Sequence, residues 1–358
     1  MAAQSLPPNY SKYVVHTLSN NFEQATKLVT LKTADLVAGL APTQVIVKYL
    51  YWGCNASDTN YTAGRYDTRV QPPFDCGFEA IGEVVAVGTS VRRAKVGMAV
   101  GVMSYGAFSE LQAVDERLLL PFPAARPEYL PLIVSGLTSY LALKHCGRMT
   151  TKETVLVTAA AGGAGQIAVQ LARAAGNHVI GTCSSESKAK VLRELGCDRV
   201  INYKTEDVGA VLKKEYRKGI DIIFESVGGE MLQTCFKSLA IKGRLIIIGS
   251  MSSYAKETKP GEPINSFAGI WTDSFSTVDL LNKSATVTGF FLNHFVRDFG
   301  AALADMTKAV QAGKLKPLVE TQDFEGLTSI PRAISYLQAG KNVGKVIVPL
   351  HPVKAAKL

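Results

Sequence analysis

The sequence predicts an α/β protein in which a β-rich part comes first and a doubly wound parallel sheet of six strands follows. Three observations support this prediction. Short apolar segments alternate with helical segments over 154–290, the pattern of a parallel sheet covered by helices. Glycine-punctuated apolar segments without such helices fill 10–130. The length of 358 residues suits two domains of about 100–200 residues each.

Composition excludes several classes of protein. Hydrophobic residues make up 47% of the chain and charged residues 19%, so a large core is possible and disorder is excluded. No apolar run of about 18 residues occurs, which excludes a membrane-spanning helix. Residues 1–10 lack the basic start and apolar stretch of a secretory signal, so none is expected.

Charge and cysteine content indicate whether nucleic-acid binding, zinc fingers or disulfides are expected. The net charge of +9 is spread along the chain, whereas nucleic-acid binding usually needs clustered basic residues, so nucleic acid is not favoured as a partner. The six cysteines form no C-x-x-C pair, which argues against a zinc finger or a disulfide scaffold. An intracellular, reducing compartment is the default for such a chain.

The strands of the β-rich part are predicted from alternation and glycines. Residues 44–50 alternate apolar and polar side chains, which predicts a half-buried strand. Residues 79–87 and 97–102 are further strands, and 106–110 lead into another. Four prolines then mark the end of this part, at positions 121, 123, 127 and 131.

The second part alternates strands with helices. The strands are predicted at 154–158, 178–182, 199–202, 221–224, 244–249 and 286–290, with helices at 166–175, 186–195, 207–217 and 230–240 between the first five. The tail, 295–358, adds two helices and short strands that end at 345–349.

A long irregular stretch, 250–283, separates the fifth and sixth strands. Structureless loops above about 12–15 residues are usually functional or disordered. Phe267, Trp271 and Phe275 would be unnecessary in a plain linker. Two interpretations stay open: a lid over a ligand, and a surface insertion that contains helix.

The first strand of this part is followed by Ala160-Ala161-Gly162-Gly163-Ala164-Gly165, which matches A-x-G-x-x-G. A strand before it and a helix after it are the context of a dinucleotide-binding turn. Gly162 would let the backbone approach a pyrophosphate, and Gly165 would let the helix pack on the strand. The alternative is an apolar strand–helix turn with no ligand.

The end of the second strand indicates which dinucleotide binds. An NAD site has an Asp or Glu there, about 20 residues beyond the glycines. This chain has Ser184 and Ser185, with Lys188 just after them. Hydroxyls and a cation suit a 2′-phosphate, so NADPH is predicted, with Glu186 placed in the first helical turn. The alternative is helix capping by the serines and a solvated lysine.

Four motifs resemble one branch of a known family. They are Gly53-Cys54-Asn55-Ala56-Ser57-Asp58, Gly77-Phe78-Glu79, the glycine turn at 160–165, and Gly340-Lys341-Asn342-Val343-Gly344-Lys345. With the order of elements, they resemble the zinc-free quinone oxidoreductase and prostaglandin reductase branch of the medium-chain dehydrogenase/reductase superfamily, over nearly the whole chain. The resemblance implies a GroES-like catalytic domain over 1–134 and 295–358, and an NADP-binding Rossmann domain over 135–294.

The resemblance also implies a reaction, the NADPH-dependent reduction of the activated C=C bond of α,β-unsaturated ketones. The expected substrates are 15-keto-prostaglandins, as in a 15-oxo-prostaglandin 13-reductase. Hydride addition at the β-carbon moves charge to the carbonyl oxygen, so the protein must align the reactants and place donors near that oxygen. Two alternatives stay open: an NADPH:quinone oxidoreductase, and a non-catalytic NADPH-binding protein such as the crystallin-like members.

No metal is expected. The family's zinc enzymes have a Cys and a His as ligands where this chain has Asn55 and Phe78. Cys54 is one place away and would point in the opposite direction on a strand. The cysteine-rich structural zinc lobe is absent as well, so too few ligands would converge.

Three residues of the 55–66 segment are the catalytic candidates that the resemblance implies. Tyr66 is preferred, followed by Asn55 and Tyr61, because a neutral tyrosine with a pKa of about 10 can donate to an oxyanion. The alternative is that these side chains satisfy loop backbone. In that case a ribose hydroxyl of the cofactor would be the donor.

The cofactor-binding candidates follow from the glycine turn, the strand ends and the resemblance. Thr138, Phe291 and Asn342 are expected near the nicotinamide, and Tyr203 near the 2′-phosphate. Ser226 and Gly249 end the fourth and fifth strands, where ligands bind in such sheets. The full set is Thr138, Ala161, Gly162, Gly163, Ala164, Gly165, Ser184, Ser185, Lys188, Tyr203, Ser226, Gly249, Phe291 and Asn342.

Four further residues have the chemistry of a site without a clear partner in the sequence. His145 and His294 are interpreted as structural rather than as general bases. Arg65 and Arg69 could meet a substrate carboxylate, although surface arginines are the favoured interpretation.

The predicted location and assembly rest on two segments. Ala356-Lys357-Leu358 is a one-letter variant of the Ser-Lys-Leu peroxisomal signal. It predicts the peroxisomal matrix and an import receptor as partner, with the cytoplasm as the alternative. The resemblance suggests a homodimer formed through the sheet edge at 286–290.

Overall fold

The computed structural model describes residues 6–254, 264–265 and 274–352. Within these ranges the predicted α/β architecture is confirmed. A six-stranded sheet forms the second part, and a seven-stranded and a three-stranded sheet form the β-rich part. No helix in the described ranges has both the length and the apolar character needed to cross a bilayer.

Strands and helices follow the chain order. The strands are β1 (Asn9–Val15), β2 (Thr26–Lys32), β3 (Gln44–Gly53), β4 (Phe74–Asp75), β5 (Glu79–Val87), β6 (Ala99–Met103), β7 (Leu111–Asp115), β8 (Leu119–Pro121), β9 (Thr154–Val157), β10 (His178–Cys183), β11 (Arg199–Asn202), β12 (Ile220–Glu225), β13 (Leu239–Ile247), β14 (Thr286–Gly289), β15 (Val319–Glu320) and β16 (Lys345–Pro349). The α-helices are α1 (Phe22–Ala25), α2 (Thr33–Ala38), α3 (Asp58–Thr62), α4 (Val134–Leu141), α5 (Gly163–Ala174), α6 (Glu186–Glu194), α7 (Val208–Glu215), α8 (Gly229–Lys237), α9 (Met251–Tyr254), α10 (Thr277–Lys283), α11 (Phe299–Gln311) and α12 (Ile330–Gln338).

The six-stranded sheet is parallel, with the order β11-β10-β9-β12-β13-β14. The strand order reverses between β9 and β12, and such a switch point opens a crevice at the carboxyl ends of the strands. Two predicted bounds were wrong. Helix α5 begins at Gly163, one turn before the predicted 166, and β13 begins at Leu239, inside the helix predicted for 230–240. Leu239 is buried and pairs with Ile220, so it belongs to the sheet.

The β-rich part is organised around β3, which pairs with β5, β7 and β16. The prediction that one face of the strand at 44–50 is exposed was wrong at its first three apolar residues, 45–47, which are all buried. Val45 and Val47 face the main core of this part, while Ile46 packs with Tyr10 and Leu111 on the other side. Because apolar side chains cover both faces of β3, alternation does not correspond to exposure here.

The tail connects the two parts. Helix α11 contributes Met306 to the apolar cluster that also contains Leu137 of α4. Strand β16 returns to the β-rich part and pairs with β3. Just before β16, the Gly344 N–H donates to Ala161 O at 2.8 Å. The glycine turn and the returning strand are therefore held together directly.

The described part of 250–283 contains α9 and α10. Phe275 packs on Phe236 of α8, with the ring centroids 4.8 Å apart. Phe267 and Trp271 lie outside the described residues. Helix is therefore present in this stretch, and the prediction of a lid stays a prediction.

Strand β14 forms one edge of the six-stranded sheet and pairs with β13. Its four residues, Thr286–Gly289, are half-buried or exposed. This edge is where a homodimer was predicted, and the dimer itself stays a prediction.

Substitution of Gly165 tests how closely α5 packs on β9, the strand before it. A Cβ at this position would lie 2.5 Å from Ala159 O and 2.7 Å from Ala160 Cα, so Gly165→Ala should lower the free energy of unfolding by about 1–3 kcal/mol. Gly300 in α11 meets nothing within 4 Å. Gly300→Ala should therefore raise that free energy by about 0.5–1 kcal/mol. Urea titrations of the two variants measure both values, and equal effects would contradict the packing described for α5.

Candidate active site

A cavity of about 780 Å³ lies at the carboxyl ends of the parallel strands. The glycine turn after β9 forms one wall, and the segment after β3 forms the opposite wall. No Asp or Glu of the described residues lines the cavity, whereas Lys188 and Lys345 do. Because Lys345 is paired with Glu79, the positive charge that suits an anionic ligand is that of Lys188.

Almost all of the predicted cofactor-binding residues lie together on the cavity wall. Their individual roles in binding stay predictions. The lining residues from that set are Thr138, Ala161, Gly162, Gly163, Ala164, Gly165, Ser184, Lys188, Tyr203, Ser226, Gly249, Phe291 and Asn342.

The glycine turn has the geometry that a pyrophosphate site requires. Gly162 is the N-cap of α5, and a Cβ there would meet only Ala159 O, at 3.2 Å. A Cβ at Gly163 would lie 2.9 Å from Ser135 Oγ, so no side chain fits between the turn and α4. The free N–H groups of α5 therefore face the cavity without a covering side chain, as phosphate binding at a helix N-terminus needs.

The predicted 2′-phosphate pocket lies at the end of β10. Ser184, Lys188 and Tyr203 line it, and Lys188 Nζ donates to Gly340 O at 2.6 Å. Partial burial lowers the pKa of Lys188. Glu186 pairs with Arg193 at 2.6 Å, in the first turn of α6 as predicted. A cation and a hydroxyl therefore occupy the place where an NAD site has a carboxylate.

Ser185 is the predicted cofactor residue that the cavity lining does not include. It is the N-cap of α6, and its side chain accepts from Lys188 N at 3.3 Å. This contact is the capping interaction that was considered as the alternative for this serine.

Tyr66 lies on the cavity wall, as predicted, with its ring 6.2 Å from the ring of Phe291. Burial raises the pKa of Tyr66 well above its usual value, while polar side chains of Asn60 and Ser57 oppose that rise. The hydroxyl is therefore protonated across the physiological pH range and is able to donate a hydrogen bond.

Asn55 also lines the cavity, but both ends of its amide are engaged. Its Oδ1 accepts from Lys345 Nζ at 2.6 Å, and its Nδ2 donates to Glu79 Oε1 at 3.0 Å. Asn55 therefore stabilises the wall of the site, and its amide is not free to donate to a substrate.

Tyr61 is placed outside the cavity lining, in contrast to the catalytic role considered for it. Its ring stacks on Tyr105 with the centroids 4.4 Å apart, and its hydroxyl donates to Asp75 O at 3.2 Å. It packs in an aromatic cluster with Phe74 and Phe78. This position corresponds to the structural alternative for Tyr61.

A buried ion pair at the cavity wall was not predicted. Lys345 Nζ contacts Glu79 Oε1, and the two side chains are 2% and 0% exposed. Glu79 Oε2 accepts from Val134 N at 2.8 Å, at the start of α4. The only sequence signal was that each charge begins an apolar strand, and the pairing partner could not be read from that pattern.

Asp58 is a second buried acidic side chain whose place in the site was not predicted. Its Oδ2 accepts from Asn55 N at 2.7 Å. Complete burial raises the pKa of Asp58 to about 8, with Lys345 opposing the rise. This residue fixes the start of the segment that carries Tyr66.

The structure shows where the two histidines and two arginines without a predicted partner lie. His294 lines the cavity, whereas His145 lies 3.4 Å from Asp298, a carboxylate partner that was not expected. Arg69 is exposed and pairs with Asp67, but Arg65 is 3% exposed and donates to Tyr254 O at 3.0 Å. The interpretation of Arg65 as a surface arginine was therefore wrong.

Metal ligands do not cluster in the described part of the chain. No three His, Cys, Asp or Glu side chains there are placed to hold one ion. The absence of a metal from the protein stays a prediction.

Comparison with known proteins gives the family. Residues 41–124 match the alcohol dehydrogenase GroES-like domain, and residues 163–308 match the zinc-binding dehydrogenase family. The chain is 45% identical to prostaglandin reductase-3 of Bos taurus, over 99% of this chain and 93% of that protein. This chain is a medium-chain dehydrogenase/reductase. The family predicted from the motifs is thereby confirmed.

Other relatives of this medium-chain dehydrogenase/reductase differ in their names. A probable quinone oxidoreductase of Leishmania amazonensis is 43% identical over 97% of this chain and 99% of that protein. A quinone oxidoreductase structure from Pseudomonas syringae has a TM-score of 0.79 and 26% identity, covering 95% of this chain and 99% of that one. A mycobacterial structure complexed with NADPH has a TM-score of 0.79 and 25% identity, with the same coverage. Two of these three relatives are thus named quinone oxidoreductases, and the third is a structure complexed with NADPH.

Substitutions in the buried ion pair of Lys345 and Glu79 test whether this pair stabilises the cavity wall of this medium-chain dehydrogenase/reductase. Lys345→Met leaves the Glu79 carboxylate buried without its cation, so the free energy of unfolding should fall by about 3–5 kcal/mol. The double variant Lys345→Met with Glu79→Met should lose less, because it leaves no unpaired charge.

Lys308→Met is the matched control, because Lys308 is exposed on α11. It should change the free energy of unfolding by at most about 0.5 kcal/mol. Urea titration measures all three variants. A Lys345→Met variant as stable as this control would show that the ion pair does not hold the wall.

Proposed function

We propose that this chain reduces the activated C=C bond of α,β-unsaturated ketones with NADPH as the reductant, and that 15-keto-prostaglandins are among its substrates. One observation carries the proposal. A single cavity joins the glycine turn, the cation and hydroxyl pocket at Lys188 and Ser184, and Tyr66. The relatives named prostaglandin reductase-3 and the NADPH-complexed structural relative support it.

The residues present fit NADPH. The uncovered turn at Gly162 and Gly163 suits the pyrophosphate, and Lys188 with Ser184 suits the 2′-phosphate. When bound, the cofactor supplies the hydride. Thr138 on α4 and Phe291 after β14 line the same cavity, and they would contact the nicotinamide.

Tyr66 provides the chemistry for the substrate. Its hydroxyl stays protonated because burial raises its pKa. It can donate to the carbonyl oxygen, where negative charge develops as the β-carbon is reduced. Met251, Tyr254 and Phe291 line the cavity and offer apolar surface to a hydrocarbon chain. This combination suits an enone that is attached to a hydrocarbon chain.

Quinone reduction is the second candidate, because a relative with 43% identity is named a probable quinone oxidoreductase. The same cavity would hold the same cofactor, and a quinone is also an activated, conjugated ketone. The fold does not separate the two activities, since one scaffold supports both.

NADPH oxidation with 15-keto-prostaglandin E2 tests the proposal. We expect turnover with NADPH well above that with NADH, and a product that has gained two hydrogens by mass spectrometry. An orthoquinone is assayed in parallel. If only the quinone is turned over, the second candidate is correct. Saturable NADPH binding without turnover of either substrate would identify a non-catalytic binding protein.

The Lys188 site has a matched pair of variants on α6. Lys188→Ala should raise the KM for NADPH by about tenfold or more, because it removes a hydrogen bond to a charged phosphate. The KM for NADH should stay unchanged. Lys190 is exposed on the same helix, so Lys190→Ala should leave both values near those of the natural chain. Equal KM changes for the two cofactors would contradict the assignment of the 2′-phosphate pocket.

The peroxisomal location and its import receptor also stay predictions, because Ala356-Lys357-Leu358 lies outside the described residues. Microscopy of an N-terminal fluorescent fusion tests them. We expect colocalisation with a peroxisomal marker that is lost when the three residues are deleted. A cytoplasmic distribution of the intact fusion would establish the alternative.

A further inference from the structure

Arg65 is a buried arginine that lies outside the cavity lining but contacts residues of the cavity wall. It is 3% exposed. Gly64 before it has a φ of +72°, the left-handed conformation with which a glycine often ends a helix, so Arg65 follows directly on the end of α3. Burying a guanidinium is costly unless its N–H groups are hydrogen-bonded. The contacts of Arg65 therefore indicate what this residue holds in place.

The Arg65 guanidinium joins two parts of the cavity wall. Its Nη1 donates to Asn60 Oδ1 and to Tyr254 O, both at 3.0 Å. Asn60 lies on α3 in the β-rich part, and Tyr254 lies on α9 after the fifth strand of the parallel sheet. Both residues line the cavity. Because the planar guanidinium holds its acceptors in fixed directions, Arg65 fixes these two wall residues relative to each other.

The contact with Arg65 also determines how the Asn60 amide faces Tyr66. A guanidinium can only donate, so the Asn60 atom that faces Arg65 is the oxygen. The Asn60 and Ser57 side chains are partners of the Tyr66 hydroxyl and favour its ionised form. An ionised phenol can only accept, so Asn60 offers its N–H to the Tyr66 oxygen. Arg65 thus sets the direction of a chain of hydrogen bonds that ends at Tyr66.

The ionisable groups that act on Tyr66 are Arg65, Tyr254 and Asp58. Burial raises the pKa of Tyr66 most, and Tyr254 and Asp58 raise it further. Arg65 has the opposite effect, because it carries a positive charge. Burial lowers the pKa of Arg65, and the Tyr66 hydroxyl opposes that change. Arg65 therefore favours negative charge on the Tyr66 oxygen, which this oxygen acquires in part when its hydroxyl donates a hydrogen bond.

We propose that Arg65 is a positioning residue for the reaction: through Asn60 it sets the Tyr66 hydroxyl to donate into the cavity, and it holds the wall at Tyr254 against the segment that carries Tyr66. This inference rests on the proposed function for the role of Tyr66. Since the Asn60 N–H is directed at the Tyr66 oxygen, Asn60 does not take the Tyr66 hydrogen.

The direction of the chain gives Arg65 an effect on the rate. As negative charge grows on the substrate carbonyl, the Tyr66 hydroxyl donates more strongly and its own oxygen gains charge. The Asn60 N–H and the Arg65 charge stabilise that oxygen, because hydrogen bonds in a chain polarise one another. Arg65 should therefore contribute more to the transition state than to substrate binding.

Arg65→Met and Arg69→Met are a matched pair of variants. Arg69 lies in the same segment, and its side chain is 88% exposed and pairs with Asp67. Arg65→Met should lower kcat for the enone by about 10²-fold, the effect of misplacing a group that acts on the substrate. The Kd for NADPH, measured by fluorescence titration, should change much less. Arg69→Met should leave kcat near that of the natural chain. Equal kcat values for the two variants would overturn the inference.

A double variant separates positioning from a structural role. Tyr66→Phe removes the hydroxyl through which Arg65 acts, so adding Arg65→Met to it should lower kcat only slightly further. An Arg65 that only stabilised the fold would lower kcat by the same factor in both backgrounds, and the inference would then be wrong. Arg65→Lys keeps the charge but not the planar fork, so it should recover part of the lost kcat.

Asn60→Asp tests the chain of hydrogen bonds in a variant that preserves the contacts of Arg65. It keeps an oxygen that accepts from Arg65 but replaces the N–H with an acceptor. The hydrogen bond with Tyr66 therefore reverses and draws the Tyr66 hydrogen away from the cavity. We expect kcat to fall by about 10²-fold, and this test holds even if Arg65→Met fails to fold. An unchanged kcat in Asn60→Asp would overturn the inference.

A readout without turnover separates this inference from the proposed function. A trifluorotyrosine is introduced at position 66 by amber suppression, and ¹⁹F NMR follows its ionisation, which occurs at lower pH than that of tyrosine. The midpoint should rise by about one pH unit or more in Arg65→Met and in Asn60→Asp, because a hydrogen bond to the charged oxygen is weakened or lost. It should stay unchanged in Arg69→Met.

The two possible failures then differ. If the midpoint rises in this way but the natural chain does not reduce the enone, the positioning of Tyr66 by Arg65 stands and the proposed function fails. If the midpoint is the same in the natural chain, Arg65→Met and Asn60→Asp, the inference is overturned whether or not the enone is reduced.

Discussion

The contact between Lys345 and Glu79 is the interaction on which the site depends. Both side chains are removed from water, and buried charges need complete sets of partners. Those partners lie on different elements, since Asn55 follows β3, Glu79 begins β5, Val134 begins α4 and Lys345 begins β16. Satisfying the two charges therefore sets the positions of four elements relative to one another, and these elements form the wall beside the predicted nicotinamide position.

Local patterns in the sequence predicted a large part of the fold and of the cofactor site. The six strands, the turn at 160–165 and the cation near Ser184 each depend on residues within a few positions of one another, so the sequence is enough to recognise them. The errors at β3 and β13 have a different origin. Ile46 is buried because the N-terminal strand brings Tyr10 over it, and Leu239 is a strand residue because Ile220 pairs with it.

The catalytic wall was harder to predict, because its contacts join residues that are distant in the sequence. Tyr61 and Tyr66 have the same chemistry, and only the structure shows that one faces Tyr105 and the other the cavity. Asn55 is at the predicted place but has both amide ends engaged.

The return of β16 has a consequence for how the protein is made. Gly344 bonds the glycine turn and Lys345 completes the wall, yet both are synthesised after every other element of the site. A ribosome that has released the six parallel strands holds a nascent chain whose cleft still lacks one side. Such a chain could bury its sheet early, but it gains a complete active site only when β16 emerges and pairs with β3. Synthesis from the N-terminus therefore delays activity until this part of the fold is finished.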